Sequence, residues 1–261
     1  LDVMLEPRII PCLLIRDKGL VKTVNFKNSK YVGDPLNAVR IFNEKKVDEL
    51  IVLDIDVTAE NRDPDYALIE YLAAECRMPL CYGGGIHTVT QAQKVFNLGV
   101  EKVALSSAAI FRPKFVTEVA EKVGVQSVVV VLDVKKTLFG GYEVYVNNGL
   151  KGTGKALAKV AKVMEDAGAG EIVINSIDND GLMKGYDLKL VDITRQAITT
   201  PLTVLGGAGS LEDIGKLIGR YGIIGSAAGS LFVFKGAYKA VLINYPTRSQ
   251  KLKLMGSFFD I

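Results

Sequence analysis

The 261-residue chain contains no tryptophan and one histidine, His87. A single histidine excludes a multi-histidine metal centre and weighs against a serine or cysteine triad. Cysteine is scarce as well: Cys12, Cys76 and Cys81 make an odd count, and their spacing suits neither a zinc site nor a disulfide framework. Reduced thiols in the cytoplasm are the expectation. Neither a metal nor any other cofactor is called for. No apolar run reaches the roughly 18 residues of a membrane span. The segment 1–8 carries Asp2 and Glu6 where a secretion signal would be apolar, so no leader is expected. Charge of one sign is lacking too. Thirty-two Lys and Arg face 29 Asp and Glu, for a net charge of +3. That balance suits a small anionic substrate and is too weak to argue for nucleic acid or a membrane surface. Linkers, low-complexity tracts and charge blocks are missing, so one domain over residues 1–261 is expected, a common size for a barrel.

What is present is a recurring pattern. Short β-branched apolar runs occur at 9–15, 49–55, 80–84, 102–106, 127–134, 171–177, 202–207 and 222–227. Most are apolar on both faces, as buried parallel strands are. Helical spacing fills the gaps. The first helix opens at Asp34-Pro35, an N-cap followed by proline at the first helical position. Others are expected at 65–76, 88–97, 113–122, 153–167, 187–197, 210–218 and 234–242. Eight strands alternating with eight helices fit a barrel or a doubly wound sheet.

An internal repeat selects the barrel. ELIVLDID at position 49 matches EIVINSID at position 171, and GGGI at 83 matches GGAG at 206. Two similar four-unit halves closing on each other make a (β/α)₈ barrel. One insert, 138–149, reads as a small hairpin turning at Gly140-Gly141, with Tyr142 and Tyr145 packing it. The tail 244–261 is basic and then apolar. It is expected to cover the barrel, with partner docking as the alternative.

Glycines at the ends of strands 3 and 7 (Gly84, Gly85; Gly206, Gly207) let backbone approach an anion closely. Ser106-Ser107 ends strand 4 and Gly229-Ser230 follows strand 8, each opening a helical turn whose free N–H groups favour negative charge. Strands 3 and 4 make one cradle, and strands 7 and 8 a second across the barrel mouth. A ligand with a phosphate at each end would bridge them. The plainer alternative is that these glycines punctuate turns.

The segments RIIPCL, LVKTVNF, DELIVLDI, GGGI, VVVVLDVKK, GAGEIVINSIDNDG and GGAG closely resemble the cyclase subunit of imidazole glycerol phosphate synthase, over roughly residues 8–234. The resemblance implies a barrel that takes ammonia and a bis-phosphorylated ribulosyl carboxamide to imidazole glycerol phosphate and an aminoimidazole ribotide. It implies a heterodimer with a separate glutaminase subunit docked at the N-terminal face, from which ammonia travels up the barrel. The family's two catalytic aspartates end strands 1 and 5. The second is Asp133; the first position holds Leu14, which can carry no proton, and Asp17 lies three residues on. Asn175 stands for a usual threonine, Leu205 for a small hydroxyl residue, and Leu150 for a loop lysine. The resemblance makes Lys22 catalytic alongside Asp133, clamping the first loop, and makes Asp54, Gly84, Gly85, Ser106, Ser107, Asn175, Asp180, Gly181, Gly206, Gly207, Gly229 and Ser230 the positions for substrate and phosphates. Arg8, Glu49, Lys102 and Glu171 match an ammonia gate, and Glu101 a carboxylate that anchors the glutaminase.

The glutaminase end is thus kept while the chemical end is altered. That pattern resembles a paralogous branch that works with a glutaminase and a third amidotransferase component to make acetamidino groups on surface polysaccharide. Three alternatives stay open. One is a working histidine-pathway cyclase. Another is an isomerase like the sibling aminoaldose–ketose isomerase, against which Leu14 counts. The last is a non-catalytic scaffold that activates the glutaminase. A salt-bridge ring at the barrel base would want the same four gate residues, and His87 is expected to be an exposed helix-start residue.

Overall fold

The computed structural model describes residues 6–236 and 238–259, so Asp2 and the last two tail residues lie outside the described part. Eight parallel strands close on themselves: β1 (Arg8–Arg16), β2 (Leu50–Asp54), β3 (Leu80–Gly83), β4 (Lys102–Leu105), β5 (Val128–Lys136), β6 (Glu171–Ser176), β7 (Leu202–Leu205) and β8 (Gly225–Ala228). Each pairs in parallel with the next, and β8 returns to β1 through Arg8 opposite Gly225 and Pro11 opposite Ala228. The chain is a (β/α)₈ barrel, as its repeat implies.

Two apolar layers follow from strands buried on both faces. Alternate side chains fill the interior, among them Ile10, Cys12, Ile51, Cys81, Val129, Val173 and Ala227. The intervening side chains, such as Ile9, Leu13 and Val52, pack outward against Phe42 and Phe115 of the surrounding helices. Those helices are α1 (Pro35–Lys45), α2 (Tyr66–Glu75), α3 (Val89–Asn97), α4 (Lys114–Val123), α5 (Leu157–Asp166), α6 (Leu188–Ala197) and α7 (Leu211–Tyr221), with one-turn helices at Ser107–Phe111 and Ser230–Val233. The half-barrel repeat extends to their caps. Thr88 and Gln91 form a capping box at α3, and Ser210 and Asp213 form another at α7.

Three elements depart from the sequence pattern. Residues 234–242 are not a helix: Phe234–Lys235 and Ala240–Val241 pair antiparallel. The eighth outer helix comes later, at Arg248–Phe259, packed on α7. The segment 153–156, expected to open α5, is instead the end of a strand, Lys151–Ala156. It joins Tyr142–Val146 and the end of β5 in a three-stranded antiparallel flap. Gly140-Gly141 turns it as expected, and Tyr142 is buried with its hydroxyl on Asp187. Finally, the loop after β1 is a second hairpin, Gly19–Val24 with Lys27–Gly33.

Candidate functional site

The C-terminal ends of the strands surround a cavity of about 290 Å³. Its wall holds Lys22, Asp54, Gly84, Gly85, Ser106, Ser107, Asp133, Asn175, Asp180, Gly181, Gly206, Gly207, Gly229 and Ser230. Fourteen positions scattered over more than 200 residues of chain therefore meet in one space.

The two glycine cradles face each other across it, because β3 and β4 lie half-way round the ring from β7 and β8. Glycine is required at equivalent points of both. Gly84 has φ +130°, and a Cβ there would sit 2.5 Å from the Asp54 carbonyl oxygen. Gly207 has φ +112°, and its Cβ would run into the carbonyl of Gly185. The first N–H groups of the turns at Ser107 and Ser230 have no intrahelical acceptor. The Ser107 hydroxyl is already engaged, accepting from the Asn147 backbone N–H at 3.0 Å.

Lys22 comes from the hairpin after β1, Gly19–Val24 with Lys27–Gly33. The hairpin folds over the mouth and is stitched to the loop after β6. Thr23 Oγ1 donates to Asp180 Oδ2 at 2.7 Å, the Phe26 N–H donates to the same oxygen, and the Asn25 side chain donates to the Ile177 and Asp178 carbonyls. Gly181 permits this, since a Cβ there would collide with the Thr23 carbonyl. Asp180 and Gly181 thus hold the hairpin as well as line the cavity. Lys22 is buried, and Nζ donates to the Cys12 carbonyl at 2.8 Å. It stands beside the strand 7–8 cradle, 2.6 Å from where a Cβ on Gly229 would lie. Burial pushes its ammonium below the usual lysine range, while Asp180 pulls the other way.

Asp133 lies on β5 in the cavity floor, three residues before the strand's end, opposite Asn175 of β6, which lies opposite Leu205 of β7. Asn175 Nδ2 donates to Asp133 Oδ1 at 3.0 Å. Loss of water raises Asp133 to about 7; the Asn175 hydrogen bond opposes that rise and the charge of Asp180 adds to it. Asp54 is raised to about 6 by burial, against backbone hydrogen bonds from 56 and 57. A carboxyl poised near neutrality can both take and give a proton. Leu14 and Leu53 are neighbours on β1 and β2 and form an apolar wall of the same cavity. Asp17, the carboxylate nearest Leu14 in sequence, is exposed in the turn after β1, φ +47°, outside the cavity wall. Leu150 is exposed and also outside it. His87 is exposed at the start of α3, its Nδ1 2.9 Å from the Gly85 carbonyl oxygen, and it edges the mouth.

At the opposite end, Arg8, Glu49, Lys102 and Glu171 close a ring. Arg8 bonds Glu49, and its Nη2 donates to Glu171 Oε1 at 2.7 Å. Lys102 Nζ donates to Glu49 Oε1 at 2.8 Å and to Glu171 Oε2 at 2.9 Å. Thr203, which sequence reading missed, donates a further hydrogen bond to Glu171 at 2.5 Å. Each cation is held charged by two carboxylates against the penalty of burial, and Glu171 lies below the usual carboxylate range because Arg8 and Lys102 outweigh burial. Glu101 is exposed, and its Oε2 accepts from the Leu80 N–H at 2.7 Å, tying it to the start of β3.

The family model for histidine biosynthesis proteins matches residues 8–239, which covers nearly all of this geometry. The chain belongs to that family. Within it, the relatives that match along most of the chain are named as subunits of imidazole glycerol phosphate synthase, some of them provisionally. The chain is 58% identical over 253 residues to a Vibrio vulnificus protein provisionally named as such a subunit, with 97% of each chain covered. It is 51% identical to a Pseudomonas aeruginosa protein of the same provisional description, covering 93% of this chain and 97% of that one. It is 39% identical to the imidazole glycerol phosphate synthase subunit of Streptococcus mutans, covering 88% and 91%. Together with these relatives, the family match places the chain among enzymes of the imidazole glycerol phosphate synthase type. Among the described residues, no helix is long and apolar enough to cross a membrane.

Proposed function

We propose that this barrel binds a bis-phosphorylated substrate between its two glycine cradles and receives ammonia from a glutaminase subunit docked at the opposite end. The observation that carries the reading is the facing pair of cradles, with Asp133 between them near neutrality. Gly84, Gly85, Ser106 and Ser107 hold one phosphate; Gly206, Gly207, Gly229 and Ser230 hold the other, with Lys22 as its counter-charge. Asp133 moves protons, and Asp54 and Asn175 contact the centre of the substrate.

The ring of Arg8, Glu49, Lys102 and Glu171 serves as the ammonia gate, opening on an interior lined by Ile, Val, Ala and Cys that offers no competing base. Glu101, beside the ring, contacts the glutaminase with the oxygen that Leu80 leaves free. The complex works in the cytoplasm, where the three unpaired thiols stay reduced.

Leu14 directs the reading away from efficient histidine synthesis. A lost acid/base group typically costs about 10²–10⁴ in rate, and the strand neighbour of Leu14 in the wall is Leu53, another apolar residue. The barrel then supplies ammonia to acetamidino-sugar formation for surface polysaccharide, together with a third amidotransferase component. A second reading, the histidine-pathway cyclase itself, rests on Asp133, Lys22 and both cradles being in place.

The deciding assay follows loss of the bis-phosphorylated ribulosyl carboxamide with ammonium salt at alkaline pH, with Leu14→Asp alongside. Binding without turnover, and partial activity in Leu14→Asp, is the expected result. Normal turnover by the unaltered chain makes the second reading correct. In the complex, a flux unaffected by Asp133→Asn would reduce the barrel to a scaffold.

A further inference from the structure

The charged ring at the barrel base is uneven. Its members stand at the starts of β1, β2, β4 and β6, so the sector from Glu171 round to Arg8 spans two strands, β7 and β8, that add no charge to the ring. In the strand ladder this sector reads Thr203, Gly225, Arg8, side by side. Gly225 contributes no side chain, and the Thr203 hydroxyl takes its place: a Cβ on Gly225 would lie 1.8 Å from Thr203 Oγ1. Oγ1 donates to Glu171 Oε1 at 2.5 Å. Arg8 Nη2 donates to that same Oε1 at 2.7 Å and to Thr203 Oγ1 at 3.4 Å. Thr203 is fully buried, and the interior beyond it is lined by apolar side chains and thiols. Valine would fill nearly the same volume, so what threonine adds at this point is the hydrogen bond to a carboxylate.

We propose that Thr203 is the latch of this sector: a positioning residue whose hydroxyl holds Glu171 against Arg8, and whose release lets a small uncharged molecule pass the ring on the β7–β8 side. The sector is chosen by its width and by Gly225, which leaves room once the hydroxyl has turned away. The other strands between ring members, β3 and β5, carry Cys81 and Val129 into the interior instead. Parting Arg8 from Glu171 strands no charge, because Arg8 stays on Glu49 and Glu171 stays on Lys102. The closed state is then set by one hydrogen bond to a charged group, which shifts an opening equilibrium by about 10- to 100-fold. This inference rests on the reading of the ring as the ammonia gate.

The test reads the thiol of Cys81, which is buried opposite Lys102 in the strand register and does not line the mouth cavity. Methyl methanethiosulfonate, a small uncharged thiol reagent, is added to the whole chain at pH 8. Peptide mass spectrometry then follows Cys81 and Cys12 separately, Cys12 lining the mouth cavity and reporting entry from that side. Thr203→Val is expected to label Cys81 at least about tenfold faster with Cys12 unchanged. Thr203→Ser, which keeps the hydroxyl, is expected to stay within about twofold of the unaltered chain. Equal Cys81 rates in Thr203→Val and the unaltered chain overturn the latch. Faster labelling in Thr203→Ser as well overturns it too, since packing would then be what matters. An equal rise at Cys12 does the same, because it marks loosening of the whole barrel. The Glu49→Gln, Lys102→Met double variant, which takes one ion pair out of the ring, separates the two readings. If only that variant labels Cys81 faster, the ring is a gate and Thr203 is not its latch. If neither it nor Thr203→Val does, the gate reading itself fails.

Discussion

At Asp133 the environment, not the residue type, sets the chemistry. Burial in the cavity floor raises the carboxyl to about 7, and the single Asn175 hydrogen bond only moderates this. An acid whose folded pKa lies above its unfolded value holds its proton more tightly in the folded state. Between about pH 4 and pH 7 the folded chain binds more protons than the unfolded one, so this group's contribution falls as pH rises and is fully unfavourable above 7. Asp133→Asn is therefore expected to melt at a higher temperature than the unaltered chain at pH 8, by about 2–4 °C for each kcal/mol recovered. The gain should fade as pH approaches 4. Thermal melts at both pH values check this, and a gain that persists unchanged at pH 4 would contradict the burial argument. The rise to about 7 was invisible in the sequence, since it depends on which side chains share the floor. Asp133 itself was legible, because it closes a run of five apolar β residues.

Among the elements, what was legible follows one rule. Strands apolar on both faces announce themselves, and all eight fall within a few residues of their expected places. Polar strands do not. Lys27–Gly33 and Lys151–Ala156 are mostly exposed and carry little β-forming character. They are strands because Gly19–Val24 and Tyr142–Val146 offer them a ladder. The segment 234–242 misleads in the opposite way, since its mixed apolar spacing fits a helix while Gly236 at φ +74° turns it into a hairpin. After that turn, Tyr245 fastens the tail to the barrel floor. Its hydroxyl donates to the Ile9 carbonyl at 2.8 Å and accepts from the Asp48 N–H at 3.2 Å. Lys251 of the last helix bonds Asp48 as well. The tail thus covers the barrel where β1 and β2 begin. Tyr245→Phe, which keeps the ring tilted against Phe232 at 5.5 Å between centroids, is expected to cost about 1–3 kcal/mol by leaving a buried carbonyl unmet. Urea unfolding at fixed pH measures it, and a cost below about 0.5 kcal/mol would mean that the hydroxyl does not tie down the tail.

On the scale of the whole molecule, the barrel is held at its base by charges from both halves. Arg8, Glu49 and Lys102 come from the first four strands and Glu171 from the second four, and each cation touches both carboxylates. Removing one partner of a buried ion pair is far costlier than the pair's net worth. Glu49→Gln leaves two cations on Glu171, and a loss of up to about 3–5 kcal/mol is expected, reduced to the extent that Arg8, 28% exposed, reaches water. Denaturant unfolding of the single and the Glu49→Gln, Lys102→Met double variant separates the ring from its parts, the double being the more stable of the two. If the two unfold alike, the ring is not a coupled unit. Four such residues at four strand starts were legible as a set; Thr203 was not, because a threonine in a β-rich run reads as an ordinary strand residue.

The mouth is less symmetrical than the repeat that built it. The hairpin carrying Lys22 leans across onto the far half and leaves its ammonium at the strand 7–8 cradle, while the basic side chains lining the mouth by the strand 3–4 cradle, among the described residues, are the exposed, Glu60-paired Arg62 and His87. The two cradles thus differ in polarity. On the proposed function, a ligand with unlike ends would lie one way round, its more highly charged end toward Lys22. The repeated frame would then have a direction, and Asp133 would meet one atom of the ligand rather than its mirror-related counterpart.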